Sequence, residues 1–338
     1  KFFLILLYKF LNKKGKIYLK LDIRVDFIKF YDKNCKNIFR KIQKKFLQNI
    51  LKNIDLISCE TKECFEEIRE KGLYNFDISG KLAYIQNGFD EEYLIENNIK
   101  VKKFEDKENI MITVGRIGTE QKNNEMLLKV IERMDLKNWK IYIIGSYTEE
   151  FKEYYDDFIK NDPDKKGKVI LVGNIENKNL LYDYYNRAKV FLLTSVWEGF
   201  AIVYPEALRF GDYIITTDVG GAKDITNNGE IGVVTEIENE EQYKNEILKV
   251  INEEINLEEE YNQSLVNTKL YDPFSTTGKP SEEYMNLLNV SSDGMMAYLQ
   301  IPKIDVKLPI YHSTNNGVLQ KGVGHMEGSS LPIGGTST

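Results

Sequence analysis

Residues 109–254 alternate between short apolar runs and amphipathic stretches, with little sequence between them. The apolar runs are nearly continuous, as in strands that are covered on both faces of a parallel sheet. The alternation therefore predicts an α/β domain built on a doubly wound parallel sheet. Strands are predicted at 109–114, 139–144, 168–172, 189–194, 212–216 and 231–234. Helices are predicted near 122–134, 148–160, 177–187, 203–210 and 239–254.

The rest of the chain is long enough for further domains. With 338 residues, it exceeds the size at which one core usually keeps growing. The elements predicted before the sheet are an apolar helix at 1–12, a buried strand at 16–23, an amphipathic helix at 36–53, a strand at 55–59 followed by the helix N-cap Thr61, and a strand ending in the turn of 81–90. The acidic, Asn-rich stretch 91–108 is predicted to be an interdomain linker. We divide the chain at residues 100 and 256.

The composition is that of a globular protein, with 42% hydrophobic and 29% charged residues and a net charge of -6. The charge is uneven, because residues 1–53 hold 15 Lys and Arg against three Asp, about +12. Such a lobe suits peripheral contact with an anionic membrane surface. It is equally explained by solvated lysines on helix faces.

The three cysteines, Cys35, Cys59 and Cys64, predict a reducing compartment without a disulfide framework. Cys59 and Cys64 are read as a strand end and a helix face rather than metal ligands, since no His or second Cys pair is near. The N-terminal apolar run is far shorter than the ~20 residues that span a membrane. It also lacks a signal-peptide cleavage site. Lys1 in place of Met predicts a fragment.

Charged residues and glycines follow several predicted strands. Arg116 and Lys122 follow the strand at 109–114, and Glu198 follows the strand at 189–194. Because ligands of doubly wound sheets bind at the carboxyl ends of the strands, we expect these side chains at one site. Cations suit phosphates, and carboxylates accept hydrogen bonds from hydroxyls. Glu206 lies eight positions beyond Glu198, at the start of the next predicted helix.

Three strings carry a family resemblance: VGRIGTEQK (114–122), WEGFAIVYPEAL (197–208) and TDVGGAKDI (217–225). Together they resemble the donor site of retaining nucleotide-sugar glycosyltransferases of the GT-B fold, in the large family marked by a Glu-x7-Glu signature. The resemblance covers about residues 16–256. It implies a truncated, Rossmann-like acceptor-side domain at 1–100 and a donor-binding domain at 101–256. It also implies transfer from a nucleotide-diphosphate sugar to a surface polysaccharide or glycolipid, without a cofactor, a metal ion or a nucleic-acid partner.

The resemblance assigns roles to individual residues. Arg116 and Lys122 would bind the diphosphate and stabilise the leaving nucleotide, Glu198 would contact the donor sugar near the reacting carbon, and Glu206 would bind the ribose hydroxyls. The further donor-binding residues it implies are Gly115, Ile175 near the base, Gly199, Phe200 and Ala201 with their backbone amides, and the pair Gly220 and Gly221. Plainer explanations are solvated cations at a helix start, an acid favoured by a helix dipole, and an isoleucine buried in a loop.

The acceptor side departs from the family pattern. Members often place a histidine there near the donor sugar, whereas this chain has only His312 and His325. Lys20 and Asp22 stand in the matching region as candidate substitutes. This departure counts against catalysis by the chain and leaves nucleotide binding unaffected.

Residues 257–338 resemble a different family, the class C sortases, through EEYMNLLNVSSDGMMAYLQIPKIDVKLPIYH (282–312) and GVLQKGVGHMEGSSLPIGG (317–335). The resemblance implies a lid motif at Asp272, Pro273 and Phe274, followed by the first strands of a β-barrel. It places the catalytic Cys, His and Arg beyond residue 338, and His325 in a turn.

These observations leave several hypotheses. The first is a glycosyltransferase at the cytoplasmic face of the membrane. The others are a sortase-type transpeptidase at the cell surface, a chimeric chain without function, and a nucleotide-binding module without turnover. The missing sortase Cys and Arg count against the transpeptidase. Sugar transfer would distinguish the glycosyltransferase from the binding module.

Overall fold

The computed structural model describes residues 2–26, 28, 38–271, 295–301, 306–312, 318 and 321–325. The chain forms two compact units, Lys1–Leu265 and Val266–Thr338. The division falls within a helix, Leu257–Tyr271.

The first unit begins with a small parallel sheet and its helices, which we call the N-terminal lobe. Its elements are α1 (Phe2–Leu11), β1 (Tyr18–Leu21), α2 (Ile38–Lys52), β2 (Leu56–Cys59), α3 (Lys62–Lys71) and β3 (Leu82–Tyr84); α4 (Glu91–Glu96) follows this lobe in the chain. The strands run parallel in the order β1-β2-β3. Thr61 caps α3 as predicted, because its hydroxyl accepts a hydrogen bond from the Cys64 amide at 3.2 Å.

The cysteines of this lobe also lie where the sequence places them. Cys59 ends β2, Cys64 lies in α3, and both thiols are free and buried. Burial raises the pKa of the Cys59 thiol to about 12, so it is a packing residue. Cys35 lies outside the described residues.

β1 is less buried than the sequence predicts for 16–23. Its residues alternate between exposed and half-buried, and Tyr18 is 52% exposed. The physical reason is its position at the end of the described sheet, where it pairs with β2 on one side only. The strand is present, but the prediction that it is buried is wrong.

A larger parallel sheet follows, in what we call the donor lobe. Its elements are β4 (Ile110–Val114), α5 (Asn124–Glu132), β5 (Lys140–Ile144), α6 (Glu149–Asn161), β6 (Val169–Gly173), α7 (Lys178–Arg187), β7 (Val190–Leu193), α8 (Val203–Arg209), β8 (Tyr213–Thr217), α9 (Ala222–Ile225), β9 (Val233–Thr235), α10 (Glu240–Ile251) and α11 (Leu257–Tyr271). The strand order is β6-β5-β4-β7-β8-β9, and each pair is parallel. This confirms the doubly wound sheet.

Side chains of the central strands alternate between two hydrophobic cores. Met111 of β4 packs with α5, α6 and α10 on one face, whereas its neighbours Ile110 and Ile112 pack with α7 and α8 on the other. All five residues of β4 are buried. Covering both faces explains why these strands appear in the sequence as continuous apolar runs.

Residues 91–108 are not the loose linker that their polar composition predicts. Leu94 is buried and packs on the α7–α8 side of the donor sheet, together with Ile99 and Val101. Lys107 is fully buried and pairs with Asp212 at 2.7 Å. Glu91 and Glu108 also pair with Arg209 and Arg187. The segment is therefore part of the donor lobe, anchored by apolar contacts and by three ion pairs.

The second unit contains β10 (Met295–Ile301), β11 (Val306–His312) and β12 (Val323–His325). β10 and β11 are antiparallel, and β11 and β12 are parallel. His325 lies in a strand, so its predicted place in a turn is wrong. The expected lid residues Asp272, Pro273 and Phe274 lie outside the described residues.

Candidate functional site

The candidate site lies where the strand order of the donor sheet reverses. β4 and β7 are neighbours in the middle of the sheet, and their connections leave in opposite directions. Such a switch point opens a crevice at the carboxyl ends of the strands, which is where doubly wound sheets bind ligands. The loop after β4 carries Arg116 and Lys122, and the loop after β7 carries Glu198.

Glu198 is the centre of a polar network. Its side chain is about 9% exposed, and its Oε1 lies 2.6 Å from Lys122 Nζ. The Ser195 hydroxyl donates to the same oxygen at 2.7 Å, and Gln121 Nε2 donates to Oε2 at 3.1 Å. A nearly buried carboxylate is costly unless such donors satisfy it. Here three donors from two loops fix its position beside a cation.

Gln121 connects the other predicted cation to this network. Arg116 Nη2 donates to Gln121 Oε1 at 2.6 Å, and the amide group of Gln121 reaches Glu198 and the Trp197 carbonyl. Arg116 itself remains accessible. The three predicted catalytic residues therefore belong to one hydrogen-bonded group, although Arg116 joins it only through Gln121. The Lys122 chain passes directly over Gly115, where an added Cβ would lie 3.3 Å from Lys122 Cε.

Glu206 lies on α8 and is held by a buried tyrosine. The Tyr185 hydroxyl donates to Glu206 Oε2 at 2.9 Å, and Tyr185 is fully buried. Burial raises the pKa of Glu206, and the Tyr185 hydrogen bond partly offsets this. Lys178 lies near this carboxylate, with its ammonium 4.1 Å from the centre of the Tyr93 ring. The arrangement presents a fixed carboxylate beside aromatic rings.

Glycines allow the loop after β7 and the turn after β8 to meet. A Cβ on Gly220 would lie 2.1 Å from the Gly199 carbonyl oxygen, and a Cβ on Gly199 would lie 2.0 Å from Asp22 Oδ1. Neither position has room for a side chain. Gly221, which precedes α9, lies under the Phe200 ring. The close approaches bring Asp22 of the N-terminal lobe next to the residue that follows Glu198.

The remaining predicted donor-binding residues are mainly packing residues. The side chains of Phe200 and Ala201 are buried in the α7–α8 core. Only their backbone amides could therefore meet a ligand. Ile175 is half-buried against the same core and follows β6. The structure does not test its expected contact with a base.

The two lobes meet across a cleft. Asp224 of α9 accepts hydrogen bonds from the Lys62 backbone amide at 3.2 Å and from the Tyr84 hydroxyl at 3.0 Å. Asn87 donates to the Phe200 carbonyl at 3.2 Å. The cleft encloses about 240 Å³. Its described lining residues come from 23–26, Thr61, Glu63, Cys64, Val196–Gly199, 218–220, Lys223 and Ile237.

Several residues of this site were not anticipated from the sequence. Gln121 and Ser195 complete the Glu198 network, Tyr185 holds Glu206, and Asp224 joins the lobes. Gln121 could have been predicted as a site residue, because it precedes Lys122 in the sequence. Nothing in the spacing of Tyr185 or Asp224 pointed to their partners, which lie 21 and 162 residues away. Both histidines lie in the second unit.

The described residues offer no cluster of His, Cys, Asp and Glu that could hold a metal ion. Nor is any described helix both long and apolar enough to cross a bilayer.

A parallel sheet whose switch point carries cations and fixed carboxylates suits a ligand that offers both phosphates and hydroxyl groups. The family model described as glycosyl transferases group 1 matches residues 95–267, about half of the chain. The chain belongs to this family.

Two curated relatives illustrate the match. The chain is 30% identical over 244 residues to the Campylobacter jejuni N-acetylgalactosamine-N,N'-diacetylbacillosaminyl-diphospho-undecaprenol 4-alpha-N-acetylgalactosaminyltransferase, covering 70% of this chain and 62% of that protein. It is 28% identical over 170 residues to the capsular polysaccharide biosynthesis glycosyltransferase CapM of Staphylococcus aureus, covering 48% of this chain and 43% of CapM. The chain thus spans less than two thirds of each.

Solved structures share the fold. Anabaena Alr3699/HepE in complex with UDP matches with a TM-score of 0.59 at 13% identity, covering 80% of this chain and 72% of that one. Staphylococcus aureus TarM, in a complex with UDP, matches with a TM-score of 0.54 at 17% identity, covering 78% and 50%. These likenesses confirm the predicted GT-B-like α/β architecture. None of these relatives supports the sortase resemblance of residues 257–338.

Proposed function

We propose that the chain transfers a sugar from a nucleotide-diphosphate sugar to a hydroxyl of a glycan or lipid-linked acceptor. The observation that carries the proposal is the contact of Lys122 with the nearly buried Glu198, 2.6 Å apart at the switch point between β4 and β7. A cation and a carboxylate held there match the two needs of the donor, charge for its phosphates and a hydrogen-bond acceptor for its sugar hydroxyls.

The contacts of Lys122 and Arg116 support a route by which the donor binds. Lys122 pairs with Glu198, and Arg116 donates to Gln121. An incoming diphosphate would draw both cations to its oxygens. Glu198 would keep the Ser195 and Gln121 hydrogen bonds, so its carboxylate stays in place for the sugar. The same cations would then stabilise the charge on the departing nucleotide diphosphate, which is the main catalytic need when the glycosidic bond breaks.

Glu206 would bind the ribose. Its Oε2 accepts from Tyr185, which leaves Oε1 to accept a ribose hydroxyl. Backbone amides of 199–201 and the turn at Gly220 and Gly221 would approach the phosphates. The close packing of Gly199 against Gly220 supports this, because both loops meet there without side chains.

The stereochemical outcome that we propose is retention. Its support is the Glu-x7-Glu resemblance of residues 198–206. Proton NMR of a product formed from an α-linked donor would test it. An α-linked product supports retention, and a β-linked product overturns it.

The names of two relatives support the proposed acceptor, and the basic residues of the N-terminal lobe support a membrane location. One relative acts, by its name, on an undecaprenol-linked substrate, and another belongs, by its name, to capsular polysaccharide biosynthesis. We propose a comparable acceptor and peripheral contact with the cytoplasmic membrane face. On α2, Ile42 and Phe46 are exposed beside Lys44 and Lys45. Flotation with anionic but not neutral vesicles would support this contact. No flotation with either would refute it.

Release of nucleotide from a donor panel tests the main proposal. UDP-glucose, UDP-N-acetylglucosamine, UDP-N-acetylgalactosamine and GDP-mannose would be incubated with the chain and a crude glycolipid fraction, and free UDP or GDP measured. We expect release from one donor, a loss of about 100-fold or more in Glu198→Gln, and no change in the exposed control Glu153→Gln. Nucleotide binding without release from any donor would favour a binding module.

For residues 257–338 the resemblance to class C sortases stays a prediction from the sequence. We propose no transpeptidase activity for this chain.

A further inference from the structure

A polar cluster of the N-terminal lobe faces the donor loop. Asp22 follows β1 and Glu60 follows β2, so the parallel strands bring the two carboxylates to the same edge of the sheet. Lys20 Nζ lies 2.8 Å from Glu60 Oε1 and 2.5 Å from Asn87 Oδ1. Asp22 Oδ1 lies against Gly199, the residue after Glu198. We call Asp22 and Glu60 the carboxylate pair.

Glu60 is an unusual residue for a purely structural role. Its side chain is 95% buried, and its Oε2 has no hydrogen-bond partner among the described residues. Burial and the neighbouring Asp22 carboxylate raise the pKa of Glu60, while Lys20 partly offsets both effects. A buried oxygen without a donor costs free energy in the unliganded chain. A ligand that brings a hydroxyl or ammonium group would supply that donor.

The charges around the cleft limit the chemical class of ligand that it can bind. Of the described residues that line it, Arg24 and Lys223 are the cations, and they already pair with Asp26 at 2.9 Å and Asp218 at 2.7 Å. Lys20 and Lys122 are likewise engaged with glutamates. Asp22, Glu60 and Lys20 together bring two carboxylates and one ammonium, so this cluster carries a formal excess of one negative charge.

We propose that the carboxylate pair forms part of the acceptor subsite, and that this subsite takes a neutral or amino sugar and discriminates against uronic acids and other anionic sugars. The inference rests on the proposed function. Hydroxyl and ammonium groups donate to carboxylates, whereas an anionic sugar would meet like charges next to the donor diphosphate. Ile23 and Thr61, the residues that follow the carboxylate pair in the chain, line the cleft of about 240 Å³, so the pair borders this cleft.

A charge series on one ring tests the subsite. The methyl glycosides of glucosamine, glucose and glucuronic acid would be titrated by ligand-observed NMR into the whole chain saturated with UDP or GDP, whichever binds. We expect affinity to fall in that order, with the glucuronide about tenfold or more weaker than the glucoside. Asp22→Asn and Glu60→Gln should each reduce this discrimination severalfold, because they keep the shape and remove one charge.

Glu70→Gln provides the matched control, since Glu70 is exposed on α3 in the same lobe. It should keep the full discrimination, and all variants should keep the wild-type nucleotide Kd. The inference would be overturned by equal affinity for the three sugars, by a preference for the glucuronide, or by the absence of sugar binding to the nucleotide-loaded chain. Unchanged discrimination in both Asp22→Asn and Glu60→Gln would overturn it as well. Failure of every nucleotide to bind would refute the proposed function instead, so the two failures are distinguishable.

Discussion

Replacing Lys122 by methionine isolates the charge that the account assigns to diphosphate binding. The Lys122 side chain is about 12% exposed and its ammonium lies 2.6 Å from Glu198, so the site holds the charge in position. A charge-assisted hydrogen bond contributes roughly 1.5–3 kcal/mol. Its loss should therefore weaken UDP or GDP binding about 10-fold to 150-fold. Methionine keeps most of the aliphatic packing over Gly115.

The effect should depend on the phosphates of the ligand. Calorimetric Kd values for the nucleoside, its monophosphate and its diphosphate would be compared between wild type and Lys122→Met. We expect a large loss for the diphosphate and little change for the nucleoside. Lys129→Met, on the exposed face of α5, is the control and should change none of the three. The reasoning would be refuted by a diphosphate Kd that stays within twofold of wild type, or by an equal loss for the nucleoside.

The remaining predictions concern three other contacts. Burial raises the pKa of Glu206, so nucleotide affinity should fall as the pH is lowered from about 8 to 5. Over the same range, the contribution of Glu206 to the stability of the free chain should rise, because the folded chain binds the proton more tightly than the unfolded chain. Measurements of Kd and of urea denaturation at several pH values check both trends, with Glu206→Gln as the pH-insensitive reference. Lys107→Met should destabilise the chain by about 3–5 kcal/mol in urea unfolding, because it leaves Asp212 buried without its cation, and a further Asp212→Leu change should recover most of the loss. Asp224→Ala removes the carboxylate that accepts a hydrogen bond from the Lys62 amide. Amide hydrogens in the first turn of α3 should therefore exchange about fivefold faster. Unchanged exchange would contradict the contact between the lobes.

The sequence predicted the donor lobe well because its signals are local. The apolar runs of β4, β7 and β8 are buried along their whole length, and several of the helices begin at residues that accept capping hydrogen bonds, such as Thr148 and Asn177. Lys122 and Glu198 were predictable because each comes just after a central strand, and adjacent parallel strands end at the same edge.

Other features depend on contacts that no local pattern records. Residues 91–108 look like a polar linker, yet Leu94 and the buried Lys107 fasten them to the donor lobe. The exposure of β1 follows from its place in the sheet order and not from its composition. Likewise, Glu60 was missed because its significance comes from Lys20 and Asp22, some 40 residues earlier in the chain.

Titration of the whole chain with UDP and with GDP tests the central claim most directly. The account predicts that one of the two binds with a Kd near micromolar, roughly -8 kcal/mol, and that Glu206→Ala weakens this binding about tenfold or more. Binding heat for neither nucleotide, or equal affinity in the variant, would contradict the assignment of a donor site to the crevice between β4 and β7.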